Sequence, residues 1–484
     1  MILAVRVVVL AIICLIVWML VRAHAHRPKE SPVISEKSQP AADIAVNIDR
    51  AVHGLSRAIQ VKTISHADLS LTNYREFERF HFLLESLFPL VHSKLKKKAI
   101  GYNLIYQWKG QDSAKRAVAL MSHMDVVPAT EKGWKYPAFS GAVEEGYVWG
   151  RGALDIKYGL IGILEAIEEL LELGYTPSRD IYVISTADEE AGQKAGIMAV
   201  SEVLQASGVE LEWVLDEGGI VGEGMMDGFP KPIALVGVAE KGYVDLELAV
   251  EVEGGHSSYP GKDTAIGILC RAIAKVEAVQ MKSRLGSPVR EFFDGLGRHM
   301  SFGARLIFAN SDILEPLILK QMLKNAQTAA LIRTTTAPTV ISGGVKSNVL
   351  PPKAKAIVNF RLLPGDTTQD VVNHVSRVIN DDRVKLTVLS ESPASKISSS
   401  ESEGFRLISR CIHEQFPEAV IAPYLVVGGT DAKMLEPLAE GVYRFTPYRI
   451  SKDELAGMHG VNERVSIENL EKAVRFYASL IMNI

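Results

Sequence analysis

The sequence predicts an α/β protein, with a mostly parallel sheet covered by helices on both faces and an inserted α+β lid domain. Two observations carry this prediction. From about residue 44, apolar strand-like runs alternate with segments of helical periodicity, which is typical of a parallel sheet whose crossovers are helices. After residue 241 the pattern changes to an alternation of polar and apolar residues over 243–252, which indicates a strand with one wet face.

The first part of the chain supplies the predicted parallel sheet. Apolar runs predict strands at 117–121, 181–186, 213–215 and 233–238. Between the first two, leucine and isoleucine residues recur at helical spacing over 160–171. Strands that alternate with such helices are expected to lie parallel, with their carboxyl ends at one edge of the sheet.

The lid is predicted from the order of its elements. They are a strand at 243–252, a helix at 263–278, strands at 339–342 and 356–362, a helix at 367–380 and a strand at 384–389. The order β-α-β-β-α-β is typical of a ferredoxin-like open sheet with helices on one side. Helical, aromatic-rich sequence interrupts this order. The predicted organisation is a leader at 1–25, a linker at 26–43, a catalytic domain at 44–241 and 394–484, and a lid at 242–393 with a helical insert at 281–337.

The leader is predicted to be a signal peptide or a signal anchor. Arg6 precedes an uncharged apolar run over 7–21, and Arg22 closes it. This run suits the core of a signal peptide better than a full membrane span, which needs about 20 residues. Residues 23–25 fit a cleavage site, although Arg22 stands close to it. Both interpretations export the chain, which is then membrane-anchored, periplasmic or secreted.

Composition excludes some classes of partner. A net charge of -4 offers no basic field, so nucleic acid is not expected as a partner. The 484 residues, of which 47% are hydrophobic, suffice for two or more domains with a large core. The sequence also lacks the G-x-S-x-G motif of serine hydrolases. The oligomeric state is left open between a monomer and a homodimer formed through the lid.

Potential metal ligands follow the predicted strands. In an open α/β sheet, functional groups gather beyond the carboxyl ends of the strands. Each residue alone is more readily explained as a turn or a helix cap. Together, two histidines and several carboxylates suit two zinc ions held about 3.5–4 Å apart by a bridging carboxylate. The candidates are His123, Asp125, Asp155, Glu189, Glu190, Asp216 and His459.

These motifs, in this order, resemble a known family. The chain is similar to the di-zinc metallopeptidases that include aminoacylase, carboxypeptidase S and succinyl-diaminopimelate desuccinylase, and most similar to the branch of carboxypeptidase S and the N-fatty-acyl-amino acid synthase/hydrolases. The resemblance covers about residues 45–484 and implies the di-zinc exopeptidase fold. It rests on SHMDVVP (122–128), GRGALDIK (150–157), ADEEAG (187–192), LDEG (215–218), GGHSS (254–258), GGVKSNVLP (343–351), NFRLLP (359–364), GGTD (428–431) and HGVNER (459–464).

The resemblance implies a role for each candidate around two Zn2+ ions, for which Co2+ or Mn2+ are possible substitutes. His123 and Asp216 would bind one ion and Glu190 and His459 the other. Asp216 is preferred because it directly follows the strand, with its neighbour Glu217 as the alternative. Asp155 would bridge the two ions. Asp125 would hold His123 in place. Glu189 would be the general base that moves a proton from the attacking water to the leaving nitrogen.

The lid and the C-terminal part would contribute to substrate binding. By the same resemblance, His256 would polarise the scissile carbonyl. The residues that would hold the substrate carboxylate are Asn348, Arg361, Gly429 and Thr430. Arginine can bind a carboxylate through two parallel hydrogen bonds.

Three functions remain open on the sequence. The first is zinc-dependent, reversible hydrolysis of an amide bond next to a free carboxylate, as in N-acyl or N-fatty-acyl amino acids. The second is a carboxypeptidase or dipeptidase acting on short peptides. The third is an inactive, membrane-tethered binding protein. Aromatic and leucine side chains of the insert could line an acyl pocket, or they could pack the lid; they are Phe292, Phe293, Leu296, Phe302, Leu306 and Phe308.

Overall fold

The computed structural model describes residues 1–28, 46–192, 195–226 and 228–484. The predicted linker at 26–43 lies outside this range beyond residue 28. The helices are α1 Ile2–Ala25, α2 Ile48–Gln60, α3 Tyr74–Leu87, α4 Pro89–Lys94, α5 Lys157–Glu172, α6 Ala195–Ala206, α7 Ala265–Ala278, α8 Ser287–Gly297, α9 Phe302–Phe308, α10 Ser311–Met322, α11 Ala326–Ile332, α12 Thr368–Ile379, α13 Glu403–Gln415, α14 Lys452–Leu455 and α15 Ile467–Met482, with 3-10 turns at Leu69–Leu71 and Asp431–Leu435.

The strands are β1 Lys96–Ile100, β2 Asn103–Trp108, β3 Ala117–His123, β4 Ala142–Glu144, β5 Tyr147–Trp149, β6 Ile181–Thr186, β7 Leu211–Asp216, β8 Val221–Gly222, β9 Ile233–Glu240, β10 Gly242–Glu251, β11 Gly255–His256, β12 Thr335–Gly343, β13 Val349–Leu350, β14 Lys353–Leu362, β15 Val384–Ser392, β16 Val420–Val426, β17 Ala439–Arg444, β18 Arg449–Ile450 and β19 Arg464–Ser466. The chain divides into two compact units. The larger unit comprises Pro28–Val238, Ser398–Tyr424 and Thr430–Ile484, and the smaller unit comprises Met1–Arg27, Ala239–Ile397 and Leu425–Gly429.

A ten-stranded sheet forms the centre of the larger unit. Its order is β1-β2-β6-β3-β7-β17-β9-β8-β18, with β16 beside β9. Strand β3 pairs in parallel with β6 and β7, and β7 pairs in parallel with β17. The added strands β1 and β2 are antiparallel. The mostly parallel sheet predicted from the sequence is therefore confirmed.

Helices cover both faces of this sheet. Because side chains alternate along a strand, successive residues of β3 enter different cores. Val118 and Leu120 pack in the core that contains helices α2, α5 and α15. Ala119 and Met121 pack instead with residues of α6. Every residue of β3 is buried, which explains why its sequence is apolar from Ala117 to Met121.

The smaller unit contains a four-stranded antiparallel sheet in the order β12-β14-β10-β15. Helices α7 and α12 bury Leu269 and Val375 against one face of it. The helix–strand order along the chain and the order of strands in the sheet are those of a ferredoxin-like fold, as predicted. Helices α8–α11 form the insert between α7 and β12.

The aromatic residues of the insert pack on one another. The rings of Phe293 and Phe308 stack with their centroids 4.6 Å apart, and Phe292 meets Phe293 edge-on at 5.5 Å. Leu296 is fully buried. Phe302 differs, since its side chain is 46% exposed. Most of the insert's aromatic sequence is therefore accounted for by its own core.

Helix α1 is long and apolar enough to cross a membrane, with a mean hydropathy of 2.9 over its most apolar stretch. The structure extends the helix from residue 2 to residue 25, beyond the apolar run 7–21. Length and composition of this kind are consistent with a signal sequence or a membrane anchor.

Candidate metal centre

Three neighbouring strands bring the predicted ligands to one edge of the sheet. His123 is the last residue of β3, Asp216 is the last residue of β7, and Glu189 and Glu190 follow β6 by a few residues. The strand order β6-β3-β7 is parallel throughout, so these strand ends lie side by side. This is the edge where an open α/β sheet presents its functional groups.

Asp155 joins two histidines from distant segments. Its Oδ1 atom lies 2.9 Å from Nε2 of His123. Its Oδ2 atom lies 2.9 Å from Nε2 of His459. Each carboxylate oxygen of Asp155 therefore faces a different imidazole, which is the arrangement that a bridging carboxylate requires between two cations.

Glu190 completes the group around His459. The Nε2 atom of His459 lies 3.0 Å from Oε1 of Glu190. Donor atoms of His123, Asp155 and Glu190 also lie within 4.8 Å of one another. Imidazole nitrogens and carboxylate oxygens at this spacing are the donors that zinc takes. His459 adopts a positive φ of 56°, so its backbone is held in a conformation that L-residues seldom adopt.

The carboxylate that faces His123 from the end of β7 is that of Glu217, whereas Asp216 is the predicted ligand. Glu217 Oε1 lies 3.4 Å from Nε2 of His123. Asp216 Oδ2 instead accepts the backbone N–H of Ala432 at 3.0 Å. Donor atoms of Glu217 also lie within 4.8 Å of those of His123 and Glu189.

Asp125 holds two parts of the centre together. His123 Nδ1 lies 2.9 Å from the backbone carbonyl oxygen of Asp125 and 3.4 Å from its Oδ1. The Oδ2 atom accepts hydrogen bonds from Ser65 Oγ at 2.5 Å and from the Glu190 N–H at 3.0 Å. Asp125 is fully buried. It can therefore orient the His123 ring while it fixes the segment that carries Glu190.

Glu189 lies among the other acids of the centre. Donor atoms of His123, Glu189 and Glu217 fall within 4.8 Å of one another. Burial raises the pKa of Glu189 well above its usual range, and the carboxylates of Glu217 and Asp431 raise it further against the effect of His123. Burial likewise raises the pKa of Glu217 to about 8. The centre thus concentrates more carboxylates than it can hold as unpaired anions.

The pKa values of both histidines of the centre are raised as well. Hydrogen bonds that His459 donates to Asp155 and Glu190 raise its pKa to about 10. Burial lowers the pKa of His123, but the nearby carboxylates of Glu217, Asp125 and Asp155 outweigh burial and raise it well above its usual range. Divalent cations would replace these protons, since they bind neutral imidazole and ionised carboxylate. The donor set fits two such ions.

The loop that carries Asp155 is fixed by an acid that the sequence analysis did not select. Glu463 is fully buried, and its Oε1 accepts the N–H groups of Gly152, Leu154 and Asp155 at 3.0, 2.8 and 3.2 Å. Its Oε2 pairs with Nη1 of the buried Arg151 at 2.5 Å. The one sequence signal for Glu463 was its position in the motif HGVNER, because a single acid among polar residues does not indicate burial.

Two further acids have structural partners nearby. Asp188 accepts the N–H of Gly196 through Oδ2 at 2.9 Å, which ties the turn after β6 to helix α6. Asp431 of the GGTD motif is buried, and burial raises its pKa to about 7 despite a hydrogen bond with Thr186. Asp431 is a second buried acid of this region that strand-end reasoning did not select.

Several of the predicted substrate-binding residues belong to the smaller unit. His256 in β11 is paired with Val349 of β13, and the Asn348 carbonyl accepts the N–H of Ser257 at 3.2 Å. His256 and Asn348 therefore lie on one short two-stranded ribbon. His256 is exposed, and its Nδ1 accepts the Ser258 N–H at 3.1 Å.

The remaining predicted carboxylate-binding residues lie in different places. Arg361 is exposed on β14, where its guanidinium sits 5.8 Å from the ring centroid of Tyr243. Gly429 ends the last segment of the smaller unit. Thr430 begins the next segment of the larger unit, where it is buried and its Oγ1 accepts a hydrogen bond from Nε of Arg444 at 3.3 Å.

The chain is similar to known proteins over most of its length. Residues 119–483 match the model of peptidase family M20/M25/M40. The chain is 40% identical over 438 residues to probable carboxypeptidase S-like 2 of Dictyostelium discoideum, covering 89% of this chain and 84% of the relative. It is 38% identical over 439 residues to the N-fatty-acyl-amino acid synthase/hydrolase PM20D1 of Xenopus tropicalis, covering 89% and 85%.

A solved structure shows the same fold. An M20 family metallo-carboxypeptidase from Sulfolobus solfataricus superposes with a TM-score of 0.66 at 18% identity, covering 90% of this chain and 98% of that one.

Proposed function

This chain belongs to peptidase family M20/M25/M40, and on that premise we propose that it hydrolyses the amide bond of N-acyl amino acids next to a free carboxylate. As a member of that family it is a metal-dependent hydrolase of amide or peptide bonds. One observation carries the proposal: the two carboxylate oxygens of Asp155 face His123 and His459 separately, each at 2.9 Å.

We assign two zinc ions to this centre, with Co2+ or Mn2+ as possible substitutes. When bound, the ions would supply Lewis acidity and lower the pKa of a coordinated water to about 7. His123 and Glu217 would hold one ion, and Glu190 and His459 the other. Asp155 would contact both. Glu217 replaces Asp216 in this assignment because the Glu217 carboxylate lies 3.4 Å from Nε2 of His123, whereas Asp216 Oδ2 accepts the Ala432 N–H.

Glu189 would move the proton in the reaction. It lies within the same donor group as His123 and Glu217 but is not needed to complete either ligand set. A carboxylate in that position can take a proton from water and deliver it to the leaving nitrogen. Asp125 would keep the His123 ring in the orientation that its Nδ1 contact fixes.

Substrate binding is assigned to the residues that the motifs selected. His256 would donate to the carbonyl oxygen as negative charge develops there. Arg361, with Asn348, Gly429 and Thr430, would hold the substrate carboxylate. Arg361 suits this role because its guanidinium is exposed and can form two parallel hydrogen bonds. Because every proposed metal ligand and the proposed base Glu189 are present, the hypothesis of an inactive binding protein is disfavoured.

The names of the relatives support two classes of substrate. One relative is named an N-fatty-acyl-amino acid synthase/hydrolase, which supports a fatty-acyl amino acid and a reversible reaction. Another is named carboxypeptidase S-like, which supports short peptides as the second candidate. The apolar helix α1 supports export of the chain, as a membrane-anchored, periplasmic or secreted enzyme.

The decisive experiment compares substrates that differ in one group. Purified chain loaded with zinc would be given N-oleoyl-phenylalanine, N-acetyl-phenylalanine, a phenylalanine dipeptide and the amide of the first compound, with release of the amine product measured. We expect N-oleoyl-phenylalanine to be cleaved fastest and its amide to be nearly inert. Faster turnover of the dipeptide would favour the peptidase, and equal turnover of acid and amide would contradict recognition of the carboxylate.

A further inference from the structure

The C-terminal end of helix α1 is docked on the insert of the smaller unit. Asn310, which is fully buried, donates through Nδ2 to the backbone carbonyl of Met19 at 3.1 Å. Arg22 Nη1 lies 3.0 and 2.9 Å from the two carboxylate oxygens of Asp312. Ala23 is fully buried. The last two turns of α1 are therefore fixed to Asn310 and to the first turn of α10.

Within the described part of the chain, the rest of α1 has no such cover. Leu10 is 62% exposed and Val17 is 52% exposed, as are most of the other apolar residues of 2–18 to a similar degree. Seventeen helical residues span about 25 Å, close to the roughly 30 Å of a bilayer's hydrocarbon core. Arg6 lies near one end of this stretch, where a long side chain can reach the headgroups.

The docked end carries the features of a membrane boundary. The Trp18 ring lies beneath the guanidinium of Arg22, which sits 4.4 Å from its centroid. Tryptophan is enriched at the level of the lipid headgroups, and an arginine near the end of a spanning helix can extend its charged group to that level. Since Arg22 also pairs with Asp312, the start of α10 must lie at the same level as this boundary.

Apolar side chains of the insert are exposed close to this point. Ile313 follows Asp312 directly, and Leu317 lies one turn further on the same face of α10. They are 38% and 55% exposed, and Phe302 of α9 is 46% exposed. We call these three residues the insert face. Isolated apolar side chains on a surface need no explanation. The insert face differs because it lies next to Asp312, which pairs with the end of a helix long and apolar enough to span a bilayer.

We propose that α1 is retained as a membrane anchor and that the insert face lies in the interfacial layer of the lipid bilayer. The bilayer is the occupant that the structure favours because the same segment contacts the anchor and presents the apolar side chains. Cleavage after Ala25 would remove the residues that contact Asn310 and Asp312. The inference concerns α1 and the insert alone and does not depend on the catalytic assignment.

Lipid contact can be measured at one position of the full-length chain. The exposed Cys14 and Cys270 would be replaced by serine, and Leu317→Cys would carry an environment-sensitive fluorophore. The chain would be reconstituted in phosphatidylcholine–phosphatidylglycerol vesicles that contain spin-labelled lipid. Leu173→Cys, at a 69% exposed leucine of the larger unit, is the matched control. We expect at least about threefold stronger quenching at 317 than at 173.

Variants of the Arg22–Asp312 ion pair test whether docking of α1 places position 317 in contact with lipid. Asp312→Arg should reduce the quenching at 317, and the double variant Arg22→Asp/Asp312→Arg should restore it. Equal quenching at 317 and 173 in vesicles that retain the chain would overturn the proposal. So would a label at 317 that is buried by self-association rather than by lipid. A membrane-extracted chain whose intact mass begins at residue 26 would overturn retention of α1.

Discussion

The Oε1 atom of Glu463 accepts the backbone N–H of Asp155 at 3.2 Å. The carboxylate proposed to bridge the two ions is therefore positioned by an acid more than 300 residues away in sequence. Arg151 pairs with the same acid at 2.5 Å, and both side chains are buried. Glu463 is a positioning residue: it fixes the loop on which the ligand stands and leaves the ligand's own oxygens free to face the two histidines.

Replacing Glu463 by glutamine should weaken metal binding with little loss of secondary structure. Glutamine keeps an oxygen for the three N–H groups but removes the charge that pairs with Arg151. We expect the affinity of the metal-free chain for Zn2+ to fall by about 10-fold or more, as is usual for groups that orient metal ligands. Calorimetric titration measures this. Glu468→Gln, on the exposed start of α15, is the control, and unchanged affinity in Glu463→Gln would refute the positioning role.

Variants at the end of β7 should separate the two neighbouring acids. Glu217→Gln should lose one of two ions, because its carboxylate faces His123 at 3.4 Å. Asp216→Asn should keep both, because the amide oxygen still accepts the Ala432 N–H. The metal content per chain after gel filtration shows which of the two acids is the ligand. Loss of an ion from Asp216→Asn alone would return the assignment to Asp216.

Glu189→Gln should bind both ions and lose nearly all turnover. The substitution keeps the size of the side chain but removes its capacity to accept a proton. We expect turnover to fall by about 10²–10⁴-fold, the usual contribution of a general base. Single-turnover kinetics together with metal analysis on the same sample would test this. A variant that keeps both ions and wild-type turnover would contradict the role of Glu189.

Arg361→Ala should weaken binding of substrates that carry a free carboxylate. The lost pair of charge-assisted hydrogen bonds should raise KM by roughly tenfold or more while leaving kcat less affected. Lys355→Ala on the same strand is a matched loss of positive charge. If Arg361→Ala impaired the acid substrate and its amide to the same extent, the carboxylate contact would be excluded.

Glu165 should make stability depend on pH. Burial raises the pKa of Glu165 from 4.5 to about 7, although Arg50 Nε donates to its Oε1 at 2.6 Å. Between these values the folded chain holds a proton that the unfolded chain releases. Protonated Glu165 therefore contributes stability that is fully present below pH 4.5 and is lost as the pH rises through 7. The free energy of unfolding should fall by up to about 3 kcal/mol over this range.

Glu165→Gln should remove this dependence. The variant keeps an oxygen for Arg50 and should unfold at a higher denaturant concentration than wild type at pH 8, with a smaller difference at pH 5. Glu172→Gln, at the exposed second partner of Arg50, is the control. Equal effects of Glu165→Gln at the two pH values would contradict this account.

The sequence predicted the fold well where a simple period governs the structure. Strands β3 and β6, which are apolar except for their last two residues, are buried along their whole length. The alternation over 243–252 appears as β10, whose apolar side chains pack in the core with α7 and α12. Neighbouring parallel strands then bring His123 and Glu190 to one edge. These features follow from residue pattern and strand order alone.

Other features of the site depend on contacts that no local pattern encodes. Whether Asp216 or Glu217 faces His123 is decided at the end of β7, where Ala432 supplies an N–H to Asp216. The burial of Glu463 depends on Arg151 and on the loop of Asp155, which are distant in sequence. A pattern with period two or 3.6 carries no information on such pairs.

The most direct test of the account is a zinc titration of the metal-free chain, followed by turnover of an N-acyl amino acid. If Asp155 bridges two ions between His123 and His459, turnover should rise to a plateau at two equivalents of zinc per chain. Full turnover after chelation, or a plateau reached at one equivalent, would contradict the bridged two-ion centre.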